Sequence, residues 1–386
     1  MNAYVKRDLY LNRLIVRRDN GQIKAVTGPR RSGKSFLLDP IYKDYLLSKG
    51  IPEDNIIIIS FDIEDEDTPQ ELLDREKLKE YLYSRIASQT ENYYVFLDEI
   101  QEVDGFERIV NGLNKRQNVD VYVTGSNSKF LSSEINTIFR GRSDEVSVLP
   151  FTFREFCQDR QESVNDLWKE YYTYGGLPAL RKMPTAEQKT TYLQKLWKKT
   201  YLDDVVERHN VENREALEAI ADALCSSIGS LTNTTRITNT LGSVRKIKIT
   251  DDTVAKYIGY LEEAFLFNEA RRYNIKGNKY YENIKKYYSI DVGLRNARLN
   301  YRQLEQTHLM ENIIFNELLY RGYVVDVGVV EHRKMVDGKS EYKQYEVDFI
   351  ATDGNEKYYI QSAYEIETEE KREQELNSLK RIDDSF

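Results

Sequence analysis

Residues Gly28-Pro29-Arg30-Arg31-Ser32-Gly33-Lys34-Ser35 set two glycines, a lysine and a hydroxyl in the order that a phosphate cradle needs. Without a Cβ at Gly28 and Gly33, backbone N–H groups can close around phosphate oxygens. Lys34 would reach the β- and γ-phosphates of a nucleoside triphosphate, and the Ser35 hydroxyl would ligate magnesium. The helix expected from Lys34, with Phe36 in its first turn, adds the positive end of its dipole. Arg30 and Arg31 read as electrostatic support within the loop. A second constellation is Tyr94-Val95-Phe96-Leu97-Asp98-Glu99, an apolar run that delivers two carboxylates. Asp98 suits magnesium and Glu99 suits the base that polarises an attacking water. The plain alternative is a solvated acidic pair, and a complete glycine loop upstream weighs against it. Thr124-Gly125-Ser126-Asn127 closes another apolar run; Ser126 and Asn127 are both candidates to hold that water, with a simple turn as the alternative. Arg140-Gly141-Arg142 offers an arginine for transition-state charge, from the same chain or across a subunit interface. The run from Asp62 to Asp67 reads as a solvated acidic loop.

These residues need a scaffold that brings strand ends together. Apolar runs at 23–26, 55–61, 93–97 and 119–123 alternate with helical patterns at 34–47 and 69–87. That alternation predicts a mostly parallel sheet covered by helices, with its ligand at the carboxyl ends of the strands. The chain has 386 residues, 40% apolar and 31% charged, which predicts an ordered globular protein of two or three domains. No apolar run approaches the roughly 20 residues of a membrane span, and the N-terminus lacks a leader pattern. With Cys157 and Cys225 as the only cysteines and three histidines, neither a disulfide framework nor a transition-metal site is expected. A cytoplasmic location follows as the expectation. The net charge of −8 argues against nucleic-acid binding over the whole surface. Tyrosine is abundant at 29 residues, and composition alone does not explain the excess.

GPRRSGKS, YYVFLDEIQ, VTGSNSKFLS with FRGR, VLPFTFREF and YGGLP follow one another in order. Together they resemble the prokaryotic AAA-type P-loop ATPases with a DUF4143-like C-terminal region, over nearly the whole chain. The resemblance implies an α/β core, residues 1–150, with a parallel sheet of strand order 5-1-4-3-2, followed by a helical lid at 151–212. It also implies ATP with magnesium, oligomer or switch behaviour, Asp98 and Glu99 as the Walker B pair, and Ser126 as a sensor. Arg142 would be the arginine finger or γ-phosphate sensor. Gly176 and Pro178 would belong to a lid motif near the nucleotide base, although Gly175-Gly176-Leu177-Pro178 by itself reads only as a sharp turn. Adenine over guanine rests on the resemblance, there being no Asn-Lys-x-Asp motif.

Helical patterns at 216–227, 235–241 and 250–264, then short strands around a basic turn, predict a winged helix-turn-helix at 213–298. Thr250 is the expected cap of the third helix, with Val254, Tyr257, Ile258 and Leu261 on its buried face. That helix carries Asp251, Asp252, Glu262 and Glu263 against Lys256, a poor match to a phosphate-lined groove. Packing or a protein partner, including a second copy of the chain, is favoured over DNA; the basic wing with Arg271 and Arg272 keeps DNA as the alternative. Residues 299–386 resemble a small α+β restriction-endonuclease-like domain, with Glu311 and Asp348 at its carboxylate positions. Gln361 and Ala363 stand where that family has a carboxylate and a lysine, so cleavage is not expected. The resemblance further implies a strand beyond the helix at 368–381, and hence a shortened last domain ending at Phe386.

Overall fold

A computed structural model describes residues 4–62, 70–125, 137–336 and 339–382, with the side chains of 333–341 excepted. The chain forms two compact units, 1–159 and 160–386.

The first unit is built on five parallel strands: β1 Ile23–Thr27, β2 Ile56–Ser60, β3 Tyr93–Asp98, β4 Val119–Thr124 and β5 Ser143–Ser147. Their order is β2-β3-β4-β1-β5, the expected 5-1-4-3-2 read from the other edge. β1, β3 and β4 are buried at every residue, as strands covered on both faces must be, and their sequences are accordingly near-continuous in apolar residues. β5, Ser-Asp-Glu-Val-Ser, buries only Val146; as an edge strand it carries little hydrophobic pattern. One face of the sheet is covered by α3 Arg75–Arg85 and α4 Phe106–Leu113, which place Leu78, Leu82, Phe106, Ile109, Val110 and Leu113 in the core.

Two polar residues interrupt the apolar strands, and each has its answer. Lys24 of β1 is fully buried and pairs with Asp120 of β4, since a buried charge must be compensated. Asp120 also accepts from Tyr122 Oη at 2.7 Å, and Tyr122 Oη lies 2.7 Å from Tyr42 Oη. Part of the tyrosine excess therefore serves this interior: each ring fills apolar volume while its hydroxyl is hydrogen-bonded.

The helix after the glycine loop runs in three stretches, α1 Lys34–Phe36, a wider turn over Leu37–Tyr42, and α2 Lys43–Ser48. In the parallel sheet β3, β4 and β1 are neighbours. Their carboxyl ends deliver the acidic pair, Thr124 and the glycine loop side by side.

The second unit begins with α5 Val164–Tyr174 and continues through α6 Arg214–Ser226, α7 Thr234–Thr240 and α8 Asp251–Glu263. Thr250 caps α8, its side chain accepting from the Thr253 N–H, and Val254, Tyr257, Ile258 and Leu261 are buried. A second five-stranded sheet follows, of β6 Phe267–Asn274, β7 Lys279–Ser289, β8 Val324–Val336, β9 Lys339–Asp353 and β10 Glu356–Ile360. Its order is β10-β9-β8-β6-β7, with β6 and β8 parallel. The hairpin expected as a wing is thus two strands of one sheet with β8, β9 and β10. This sheet spans the division expected at residues 298 and 299. α9 Val292–Arg298 and α10 Gln306–Arg321 link its two parts, and α11 Glu369–Leu379 closes the described chain.

No helix among the described residues is long and apolar enough to cross a membrane.

Candidate functional site

The glycine loop has the backbone its sequence requires. Gly28 has φ +129°, and a Cβ there would lie 2.2 Å from the Val148 carbonyl oxygen. Gly33 has φ +92° and caps α1 in the left-handed region. Both positions exclude ordinary side chains for a physical reason. Behind the loop, the buried Arg7 guanidinium donates to the carbonyls of Ser32 at 2.9 Å and Leu149 at 2.8 Å, and to Glu155 Oε1 at 3.1 Å. This tie joins the loop to the segment that follows β5.

Lys34 is buried, and its Nζ donates to the loop's own carbonyls, Gly28 at 3.1 Å and Pro29 at 3.0 Å. Glu99 Oε1 lies 3.9 Å away. Burial pushes the Lys34 ammonium below its ordinary range, and the carboxylates of Glu99 and Asp98 oppose that shift. Asp98 is pushed upward by burial, against hydrogen bonds from Thr124 and Ser35 that favour its charged form. Ser35 Oγ donates to Asp98 Oδ1 at 3.0 Å, so the two expected magnesium ligands are adjacent.

Three features test whether these residues suit a nucleotide phosphate and its metal. A Cβ at Gly28 would collide with the Val148 backbone, so the loop keeps its turn only with glycine there. The Ser32 hydroxyl, buried inside the loop, has no hydrogen-bond partner among the described residues. The oxygen donors of Ser35 and Asp98 match a hard divalent cation. The residues fit.

Thr124 was missed as a site residue in its own right. Its Oγ1 donates to Asp98 Oδ1 at 2.5 Å and accepts the Glu99 N–H at 2.9 Å. Gln101 was missed as well; its Nε2 donates to Glu99 Oε2 at 2.5 Å. The sequence signal for either was its place, Gln101 at the end of YYVFLDEIQ and Thr124 at the start of VTGSNSKFLS, with no role attached to it.

The structure brings together Gly28, Pro29, Arg30, Arg31, Ser32, Gly33, Lys34, Ser35, Asp98 and Glu99. Phe36 is half exposed in α1, its ring edge-on to Tyr4 at 5.7 Å. Ser126 lies outside the described residues. Arg142 is exposed immediately before β5, and its carbonyl accepts the Ile23 N–H at 2.8 Å. It therefore stands at the amino ends of the strands, while the loop stands at their carboxyl ends. Five residues of β1 separate the two, on the order of 15 Å, so Arg142 is not brought to the glycine loop of its own chain.

Gly176 and Pro178 belong to the second unit. The Gly176 N–H donates to Asp291 Oδ2 at 2.7 Å, and Pro178 opens the turn Pro178–Lys182. In the second sheet, Lys286 Nζ lies 2.9 Å from Glu311 Oε1 and 2.8 Å from Glu346 Oε1. Glu311 also accepts from Tyr288 Oη at 2.7 Å, while Asp348 accepts from Ser362 Oγ at 2.7 Å. An ammonium thus occupies the space between two of these carboxylates. No group of three or more His, Cys, Asp or Glu suited to a metal ion occurs among the described residues.

Residues 20–157 match the family model described as an AAA domain. Residues 165–305 match a domain of unknown function, DUF8612, rather than the DUF4143-like region that the motifs implied. A Walker-type ATPase from Pyrococcus abyssi, PABY2304, has a similar structure, with a TM-score of 0.53 at 16% identity, covering 77% of this chain and 96% of that one. At that identity the likeness concerns the fold alone. An uncharacterized protein from Methanocaldococcus jannaschii, MJ1544, is 29% identical over 91% of this chain and 77% of its own length. An uncharacterized protein from Haemophilus influenzae is 35% identical over 100% of this chain and 92% of its own length. The chain belongs to the family of that Haemophilus protein, and its first unit carries an AAA domain.

Proposed function

We propose that the first unit binds ATP with magnesium and hydrolyses it slowly, so that the nucleotide sets a conformational switch. The observation that carries this reading is the convergence of Lys34 and Ser35, which follow β1, with Asp98 and Glu99 at the end of β3, Lys34 Nζ lying 3.9 Å from Glu99 and Ser35 3.0 Å from Asp98. Gly28 through Gly33 offer backbone N–H groups to the phosphates, and Lys34 supplies their counter-charge. Ser35 and Asp98 would hold magnesium, which when bound neutralises phosphate charge. Glu99 accepts the proton of the attacking water.

The switch reading rests on Lys34. Its present acceptors are the carbonyls of Gly28 and Pro29, and a triphosphate competes for the same ammonium with much greater charge. Exchange between these partners gives the loop two arrangements, which is what a nucleotide switch needs. A protein partner or a second copy of this chain would receive the change. DNA cleavage by the second unit is not part of this reading, because Gln361 and Ala363 stand where the nuclease-like pattern has a carboxylate and a lysine, and Glu311 is already paired with Lys286. Nor is base contact by Gly176, whose N–H already serves Asp291.

Magnesium-dependent ATP turnover by the wild type, Lys34→Ala and Glu99→Gln tests the proposal. The wild type is expected to turn over, Lys34→Ala to lose binding and turnover together, and Glu99→Gln to bind ATP while losing about 100-fold or more in turnover. Equal turnover in wild type and Glu99→Gln would remove Glu99 as the base. Bound ATP without turnover in the wild type would reduce the function to nucleotide sensing.

A further inference from the structure

Gln101 lies in the short turn Ile100–Glu102 that follows Glu99, and Glu99 itself has φ +51°, in the left-handed region. This reversal lets the Gln101 amide fold back onto the carboxylate two residues before it. Gln101 Nε2 lies 2.5 Å from Glu99 Oε2 and 3.4 Å from Glu102 Oε1. Two carboxylate partners fix the orientation of the amide, because turning it over would set its oxygen against both of them. The other oxygen of Glu99, Oε1, is turned toward Lys34.

Gln101 is only 7% exposed, and its own Oε1 is buried with no hydrogen-bond donor among the described residues. An orphaned buried carbonyl costs about 1–3 kcal/mol. An apolar side chain of the same shape would avoid that cost, so stability does not account for the amide here. Its one close partner is the carboxylate of Glu99.

We propose that Gln101 is the positioning residue of the catalytic base: it holds Glu99 Oε2 so that Oε1 stays directed toward the lysine side of the phosphate site. This inference rests on the assignment of Glu99 made above. Without the amide, the carboxylate is free to rotate away from the lysine side and its alignment with the attacking water is lost.

The test uses the full chain as Gln101→Met, which keeps length and volume but cannot donate, beside Glu99→Gln and the double variant. Turnover, affinity for a fluorescent ATP analogue and thermal stability are measured on each. Gln101→Met is expected to lower kcat about tenfold or more, with nucleotide affinity within about twofold and Tm not lowered. In the Glu99→Gln background it should cause no further loss, because a residue acting through another is silent once that one is removed. Wild-type turnover in Gln101→Met, with Glu99→Gln inactive, overturns the inference and leaves the base assignment standing. Equal losses in both backgrounds also overturn it, since Gln101 would then act independently. Normal turnover in Glu99→Gln overturns the base assignment and this inference together.

Discussion

The Thr124 hydroxyl is fully buried and joins two parts of the site: it donates to Asp98 and accepts the N–H of Glu99. Both contacts run from β4 to the end of β3, so one side chain sets the acidic pair relative to the sheet. Thr124→Val keeps the shape and removes both bonds, taking the Thr124 hydroxyl from the buried Asp98 carboxylate and from the Glu99 N–H. A loss of about 1–3 kcal/mol in stability is expected, together with turnover reduced about tenfold or more at unchanged protein fold. Thr124→Ser, which keeps the hydroxyl, is expected to retain most of both. Urea unfolding and steady-state turnover check this; a Thr124→Val protein as stable and active as the wild type would remove the hydroxyl from the site. The glycine loop, Lys34, Ser35 and the acidic pair were legible in the sequence because their chemistry is tied to spacing along one segment. The roles of Thr124 and Gln101 were not, because they arise from hydrogen bonds across strands and around a turn, which no spacing encodes.

At the scale of elements, the turn Gly175-Gly176-Leu177-Pro178 has a packing cause. Asp291 caps α9 by accepting the Leu294 N–H at 3.0 Å, and it also holds the Gly176 N–H. This brings α9 against the end of α5 so closely that side chains are excluded on both sides. A Cβ at Gly293 would meet the Tyr174 carbonyl oxygen at 1.8 Å, and one at Gly175 would meet Asp291 Oδ1 at 2.1 Å. Gly293→Ala must push the two helices apart and is expected to destabilise the second unit by about 3 kcal/mol, readable in a denaturant titration. A much smaller cost would mean that this contact is loose. The sequence marks the first half of this contact as a sharp turn, but the second half lies more than a hundred residues later and only the fold joins them. The same reasoning covers the strands. β1 to β4 announce themselves by apolar runs, whereas β5 is polar at four of five positions and was placed in the order only by resemblance. β7 reads as a short strand in sequence because charged residues interrupt it; in the fold it extends to Ser289, with Lys286 neutralised by Glu311 and Glu346.

At the scale of the whole molecule, the polarity of the parallel sheet decides what Arg142 can reach. All five strands of the first unit point the same way, so their carboxyl ends form one edge and their amino ends the other. The nucleotide loop occupies the first edge. Arg142, bonded through its carbonyl to the first residue of β1, occupies the second and is exposed there. An extended arginine side chain spans about half of the roughly 15 Å between the two edges. Its guanidinium therefore cannot serve the nucleotide bound by its own loop, and any contact with a γ-phosphate has to be made on another copy of the chain. Two measurable consequences separate these cases. Arg142→Ala is expected to bind ATP in dilute solution within about twofold of the wild type; a tenfold weakening would place the side chain at its own site, against the sheet's polarity. If neighbouring copies share the arginine, turnover per chain rises with protein concentration in the wild type and stays flat in Arg142→Ala. A mixture of Arg142→Ala and Lys34→Ala chains then recovers turnover that neither has alone, because each supplies what the other lacks. Turnover independent of concentration in both proteins, with no recovery on mixing, would confine hydrolysis to the single chain, with Lys34 Nζ, 3.9 Å from Glu99, as a cation of the same site.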